Sequence, residues 1–120
     1  MNALLAVLVV LIAIEHVWFL ILEMFLWTRP TGLRTFRNNA EFARQSATLA
    51  ANQGLYNGFL AAGLLWSAFH PAPRVALQLR TFFLGCVFVA GVYGGITVSR
   101  RILYVQAVPA LLGLMLVWLC

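Results

Sequence analysis

Residues 3–27 read ALLAVLVVLIAIEHVWFLILEMFLW, an apolar run broken only by Glu15, His16 and Glu23. At 1.5 Å per residue, about 20 residues of helix cross a hydrocarbon core of roughly 30 Å, so this run is long enough to span a bilayer. It does not read as a secretory signal. No basic segment precedes it, ionisable residues lie within it, and it outlasts the roughly 7–15-residue apolar core of such signals. Three further stretches qualify, at about Leu49–Phe69, Leu79–Val98 and Ile102–Cys120. Barrel strands would alternate apolar and polar residues with period two, and these runs do not. The sequence therefore predicts an all-α polytopic membrane protein. Residues 1–120 form one transmembrane domain, with four transmembrane helices in an antiparallel bundle.

Composition agrees. Of 120 residues, 63% are hydrophobic and 9% charged, against about 45–50% and 25% in soluble domains. This excludes a disordered or collagen-like chain, and the length excludes a multidomain enzyme. The net charge is +5, every cation is Arg and every acid is Glu. Short cytoplasmic loops hold an excess of positive residues. Arg29, Arg34, Arg37 and Arg44 in loop 28–48, with Arg100 and Arg101 in corner 99–101, place both segments in the cytoplasm and both termini outside. The opposite side has Arg74, and Arg80 is expected to snorkel from the start of the third span. Between Thr31 and Thr48, Phe36, Ala40, Ala43 and Ala47 recur at helical spacing. The second helix is thus expected to begin near residue 35, before the membrane.

An ionisable residue inside a membrane helix costs about 2.5–3.5 kcal/mol on insertion scales and marks function by default. His16 and Glu23 are seven positions and about 20° apart on the first helix, and Glu15 lies to their side. The second helix carries Asn52, Gln53, Tyr56 and Asn57 within about 140° of its circumference. In antiparallel helices Glu23 is level with Asn52 and Gln53, while Tyr56 and Asn57 face the level of His16. The seven residues form the candidate ligand-binding or proton-handling set, predicted to share a pocket between the two helices. Gln106, Tyr93 and Thr97 could add further walls. Gly54, Gly58 and Ala62, and likewise Gly91 and Gly95, form small-residue stripes for close packing. Pro109 is expected to kink the last helix. Trp27 and Trp118 read as interfacial anchors. His16 and Glu23 are about 10 Å apart along the helix, too far to share one metal ion. No metal site or cofactor is expected, and Cys86 and Cys120 form no redox motif.

The runs Glu15-His16, Leu22-Glu23-Met24-Phe25-Leu26-Trp27 and Asn52-Gln53-Gly54-Leu55-Tyr56-Asn57-Gly58-Phe59-Leu60-Ala61-Ala62-Gly63-Leu64 carry a resemblance. The chain resembles, over essentially its whole length, the bacterial integral membrane family known as domain of unknown function 1304. The resemblance implies a small four-helix protein of the bacterial inner membrane and brings no activity with it.

Three functional classes follow. The first is a pocket for a small amphiphilic or lipid-soluble molecule, where Glu23 or His16 handles protons and Asn52, Gln53 and Asn57 orient the ligand. Its architecture is similar to that of the small four-helix membrane enzymes of glutathione and eicosanoid metabolism, without their Arg-rich signature. The second is a proton-coupled exporter, since Glu15 in a short first span is similar to the membrane-embedded glutamate of small multidrug-resistance transporters. The third is a structural or assembly subunit. Expected partners are membrane lipid, a small amphiphilic ligand and a second copy of the chain; no nucleic acid is expected.

Overall fold

The computed structural model describes residues 2–119. These are organised as five helices with no strand among the described residues: α1 (Ala3–Met24), α2 (Pro30–Phe36), α3 (Ala40–Phe69), α4 (Pro73–Thr97) and α5 (Arg100–Leu119). α1, α4 and α5 are each long and apolar enough to cross a membrane. The fourth expected span lies within α3, whose 30 residues carry lower mean hydropathy because Asn52, Gln53 and Asn57 interrupt the apolar run.

Local chemistry sets most helix ends. The side chain of Asn2 accepts the Leu5 N–H at 2.8 Å, and that of Asn39 accepts the Phe42 N–H at 2.7 Å. Each satisfies a donor that a first helical turn leaves without an internal partner. Pro30 and Pro73 open α2 and α4, where a missing N–H costs nothing and the ring presets φ. α4 thus begins six residues before the apolar stretch that announces it. α3 does begin ahead of its apolar run, but at Ala40 and not near residue 35. Arg37 adopts φ 56°, ψ 39°, and its N–H bonds the Leu33 carbonyl, which ends α2 before α3 starts at Ala40. A side chain in this left-handed region breaks the spacing that linked Phe36 to Ala40.

The chain forms two compact units. Ile14–Ala61 make the first. Its loop is held by Trp27, whose indole N–H donates to the Ser46 hydroxyl at 3.0 Å and whose ring lies 4.8 Å from that of Phe36. Gly32 presses on the Leu26 carbonyl, leaving no room for a Cβ. On α3, Glu41 pairs with Arg44 and accepts from Gln45 at an exposed edge. Such a pair contributes little to stability.

The described residues on either side of that segment make the second unit. Here α4 packs along α5 through glycines. A Cβ on Gly91 would stand 2.5 Å from the Ala107 backbone nitrogen, and one on Gly94 would stand 2.8 Å from the Ile102 side chain. The Gly91 and Gly95 stripe is therefore a close-approach surface, as the sequence predicts. Leu64, Leu84, Val87 and Ala110 are fully buried. The irregularity expected at Pro109 is a π turn at Leu103–Ala107, where the Val108 N–H donates to the Leu103 carbonyl five residues back. Proline has no N–H for the Val105 carbonyl and its ring crowds that oxygen, which favours the wider turn just upstream.

Candidate functional site

Within Ile14–Ala61, two amides of α3 meet a carboxylate of α1. Glu23, 4% exposed, takes one amide donor on each carboxylate oxygen: Gln53 Nε2 at 2.6 Å on Oε2 and Asn57 Nδ2 at 2.5 Å on Oε1. Gln53 and Asn57 are one helical turn apart, so the two amides straddle the carboxylate. The backbones come close because Gly54 and Gly58 lie under α1. A Cβ on Gly54 would be 3.2 Å from the Leu20 carbonyl and 3.1 Å from Glu23 Cβ, and one on Gly58 would be 2.6 Å from the tip of Leu20.

This geometry differs from the expected pocket. α1 does not face the whole amide cluster. It sits on the glycine stripe, and only Gln53 and Asn57 reach round to it. Asn52 and Tyr56, about 160–200° round the helix from Gly54, are exposed, with the Tyr56 ring 5.9 Å from that of Phe59. Asn57, expected at the level of His16, bonds Glu23 instead. Tyr93 and Thr97 belong to the other unit and are exposed, and the Thr97 hydroxyl donates to the Tyr93 carbonyl of its own helix. Gln106 is buried in the other unit.

Two turns nearer the start of α1 lies a second group. His16 is fully buried, its ring packed edge-on at 5.2 Å from Phe19. Its Nδ1 is 3.8 Å from Glu15 Oε1. That oxygen is itself buried and accepts no hydrogen bond, although the Glu15 side chain as a whole is 26% exposed. Glu23 is thus satisfied by its neighbours, whereas Glu15 holds an acceptor in reserve beside an imidazole. A buried acceptor without a donor is costly and calls for an explanation. The arrangement can accept a hydrogen bond or a proton from a molecule lying against α1.

Among the described residues, no three of His, Cys, Asp and Glu gather closely enough to hold a metal ion. Cys86 is a free thiol, half-buried in α4; Cys120 and its expected place in the last span lie outside the described residues.

The family profile described as "Protein of unknown function (DUF1304)" matches residues 10–118. This chain belongs to the DUF1304 family. The match covers the whole polar set from Glu15 to Asn57. The chain is also 30% identical over 116 residues to "Uncharacterized protein YpaA" of Lactococcus lactis subsp. lactis (strain IL1403), covering 95% of this chain and 96% of that protein. No solved structure matches the chain.

Sequence reasoning missed one polar group. Arg80, expected to snorkel outward, is only 7% exposed and donates from Nη1 to the Ser67 carbonyl at 3.3 Å. Because α4 starts at Pro73, Arg80 stands two turns inside the helix. The signal available was its isolation, since no acidic residue follows Glu41 in the chain.

Proposed function

We propose that this DUF1304 protein is a four-span protein of the bacterial inner membrane that binds a small amphiphilic or lipid-soluble molecule at the polar side of α1. The observation that carries this reading is the buried Glu15 Oε1, which has no hydrogen-bond donor although the same side chain is partly accessible. A ligand hydroxyl, amide or ammonium group supplies that donor, and His16 beside it accommodates the proton balance. Glu23 plays a different part. Held by Gln53 and Asn57, it clamps α1 to α3 and fixes the face on which Glu15 and His16 stand.

The fourth span of this reading is the apolar portion of α3. That helix is 30 residues long, or about 45 Å. Two of its amides are matched to Glu23, which lowers the cost of placing them in lipid. Loop 28–48 and corner 99–101 face the cytoplasm by their arginines, and the termini lie outside. Asn52 and Tyr56, exposed on α3, support a second copy of the chain as partner, because polar groups in lipid gain from a matching surface.

The test is organic extraction of the purified protein followed by mass spectrometry. A copurifying molecule is expected with the native chain and is lost from Glu15→Leu, which keeps its helical content and monodispersity. Equal recovery from both, or none from the native chain, refutes the reading. The Glu15–His16 pair also favours a second reading, a proton-coupled exporter. Proton release when the recovered molecule is added back to the native protein, absent in Glu15→Gln, supports export over simple binding.

A further inference from the structure

The α3–α4 corner forms a half-open cavity of about 260 Å³ whose lining includes Ser67, His70, Pro71, Pro73, Ala76 and Arg80. Every one of these residues belongs to the same compact unit. Arg80 is more than nine-tenths buried as a residue, and its Nε is enclosed without a hydrogen-bond partner. Nη1 is engaged by the Ser67 carbonyl. Within the described residues no hydrogen bond uses Nε or Nη2, the two nitrogens of the fork's side-on edge. The three glutamates face other partners, Glu15 facing His16, Glu41 facing Arg44 and Glu23 facing the amides of Gln53 and Asn57, so none is shown supplying Arg80 with a counter-charge. An Arg keeps its proton under ordinary conditions, and a buried, uncompensated charge is among the most costly features a protein can hold.

The rest of the lining suits an anion. His70 Nδ1 accepts the Ala72 N–H at 3.1 Å. A backbone amide can only donate, so Nδ1 is the unprotonated nitrogen and the ring carries its proton on Nε2, a second donor among the lining residues. The Ser67 hydroxyl is committed to the Leu64 carbonyl at 2.6 Å. Pro71 and Pro73 stiffen the corner by fixing φ. Among the described residues lining the cavity there is no carboxylate to repel a negative group. The volume is below the roughly 300–1,000 Å³ of pockets that enclose drug-sized ligands, so it fits a head group or small ion.

We propose that the α3–α4 corner binds one oxyanion, a phosphate or carboxylate group, through the Nε edge of Arg80, with His70 as second donor. Two parallel N–H···O bonds from one guanidinium edge are the strong, oriented form of this contact. The group arrives on a free small anion or as the head of an anionic lipid, and the site is independent of Glu15.

The experiment uses the full-length protein in uncharged detergent. One arm compares thermal unfolding in inorganic phosphate and in chloride at matched ionic strength. The other measures retention of phosphatidylglycerol against diacylglycerol of the same chains by native mass spectrometry. A rise in Tm with phosphate identifies a free anion as the source, and selective phosphatidylglycerol retention without it identifies lipid. In Arg80→Gln the effect observed weakens by about tenfold or more, while Arg74→Gln, the same charge change at an exposed position, leaves it intact. Arg80→Lys keeps the charge, loses the planar edge, and weakens binding by a similar factor. Absence of both effects in the native protein overturns the proposal, as does binding within about twofold of native in Arg80→Gln. Should Arg80→Gln fail to fold, Arg80→Lys and His70→Ala decide: native affinity in both overturns it.

Discussion

Breaking the contact between Glu23 and Asn57 tests whether the amide clamp holds α1 to α3. Asn57→Leu removes the donor at 2.5 Å and leaves Glu23 Oε1 without a partner in a side chain that is 4% exposed. Hydrogen bonds to charged groups contribute about 1.5–3 kcal/mol in soluble proteins, whereas contacts between membrane helices average about 0.6 and reach about 1.7. The short distance and deep burial place this pair near the upper membrane value, so a coupling of about 1–1.7 kcal/mol is expected. Gln53 makes the matching bond at 2.6 Å from an exposed position on a longer, freer side chain. Its coupling is expected near about 0.5 kcal/mol, because ordering that side chain offsets more of the bond. The assay is a double-mutant cycle on reversible unfolding in mixed micelles, using Glu23→Leu, each amide→Leu and each pair. Coupling of Glu23 to Asn57 below about 0.3 kcal/mol, within the additivity error of such cycles, refutes the clamp. A larger coupling to Gln53 than to Asn57 refutes the ranking. Glu23→Gln should fall between native and Glu23→Leu, since one of the facing amides can turn to meet a carboxamide.

Three further outcomes follow from the close contacts. Gly91→Ala drives a Cβ to 2.5 Å from the Ala107 backbone, whereas Gly85→Ala meets nothing within 4 Å; thermal unfolding should show the first losing about 1–3 kcal/mol and the second gaining up to about 1. Gly54→Ala should destabilise more than Gly58→Ala in the same measurement, because Gly54 faces a backbone carbonyl and Gly58 only the movable tip of Leu20. Trp27→Phe keeps the ring contact with Phe36 and loses the bond to Ser46; it and Ser46→Ala should each cost about 0.5–1.5 kcal/mol, with no further loss in the double variant.

Much of the helical plan was legible because membrane helices write their length into an apolar run. α1, α4 and α5 appear where such runs lie, and the departures at their ends have local causes such as Pro73, which starts α4 early. The break at Arg37 was not legible, since a left-handed residue is common for Gly and Asn but rare for Arg. In the candidate site, arithmetic at 100° per residue collected Asn52, Gln53, Tyr56 and Asn57 on one arc but could not say which edge of that arc a neighbour covers. The glycines decide it: the backbone approach that they permit draws α1 towards Gly54 and Gly58 and leaves Asn52 and Tyr56 outside. Arg80 went unread because topology gives an arginine a role by its side of the membrane, whereas the lack of a partner at its Nε is a matter of three-dimensional packing.

The π turn at Leu103–Ala107 lets the last helix satisfy two incompatible phases. Ahead of it, Ile102 must meet Gly94; beyond it, Gly113 must meet Leu84. One surplus residue, absorbed in a single widened loop of backbone, turns the distal half to the angle its own neighbour requires without disturbing the proximal half. Chain length at that point is therefore a rotational adjustment, and the two ends of the helix answer to separate mechanical constraints.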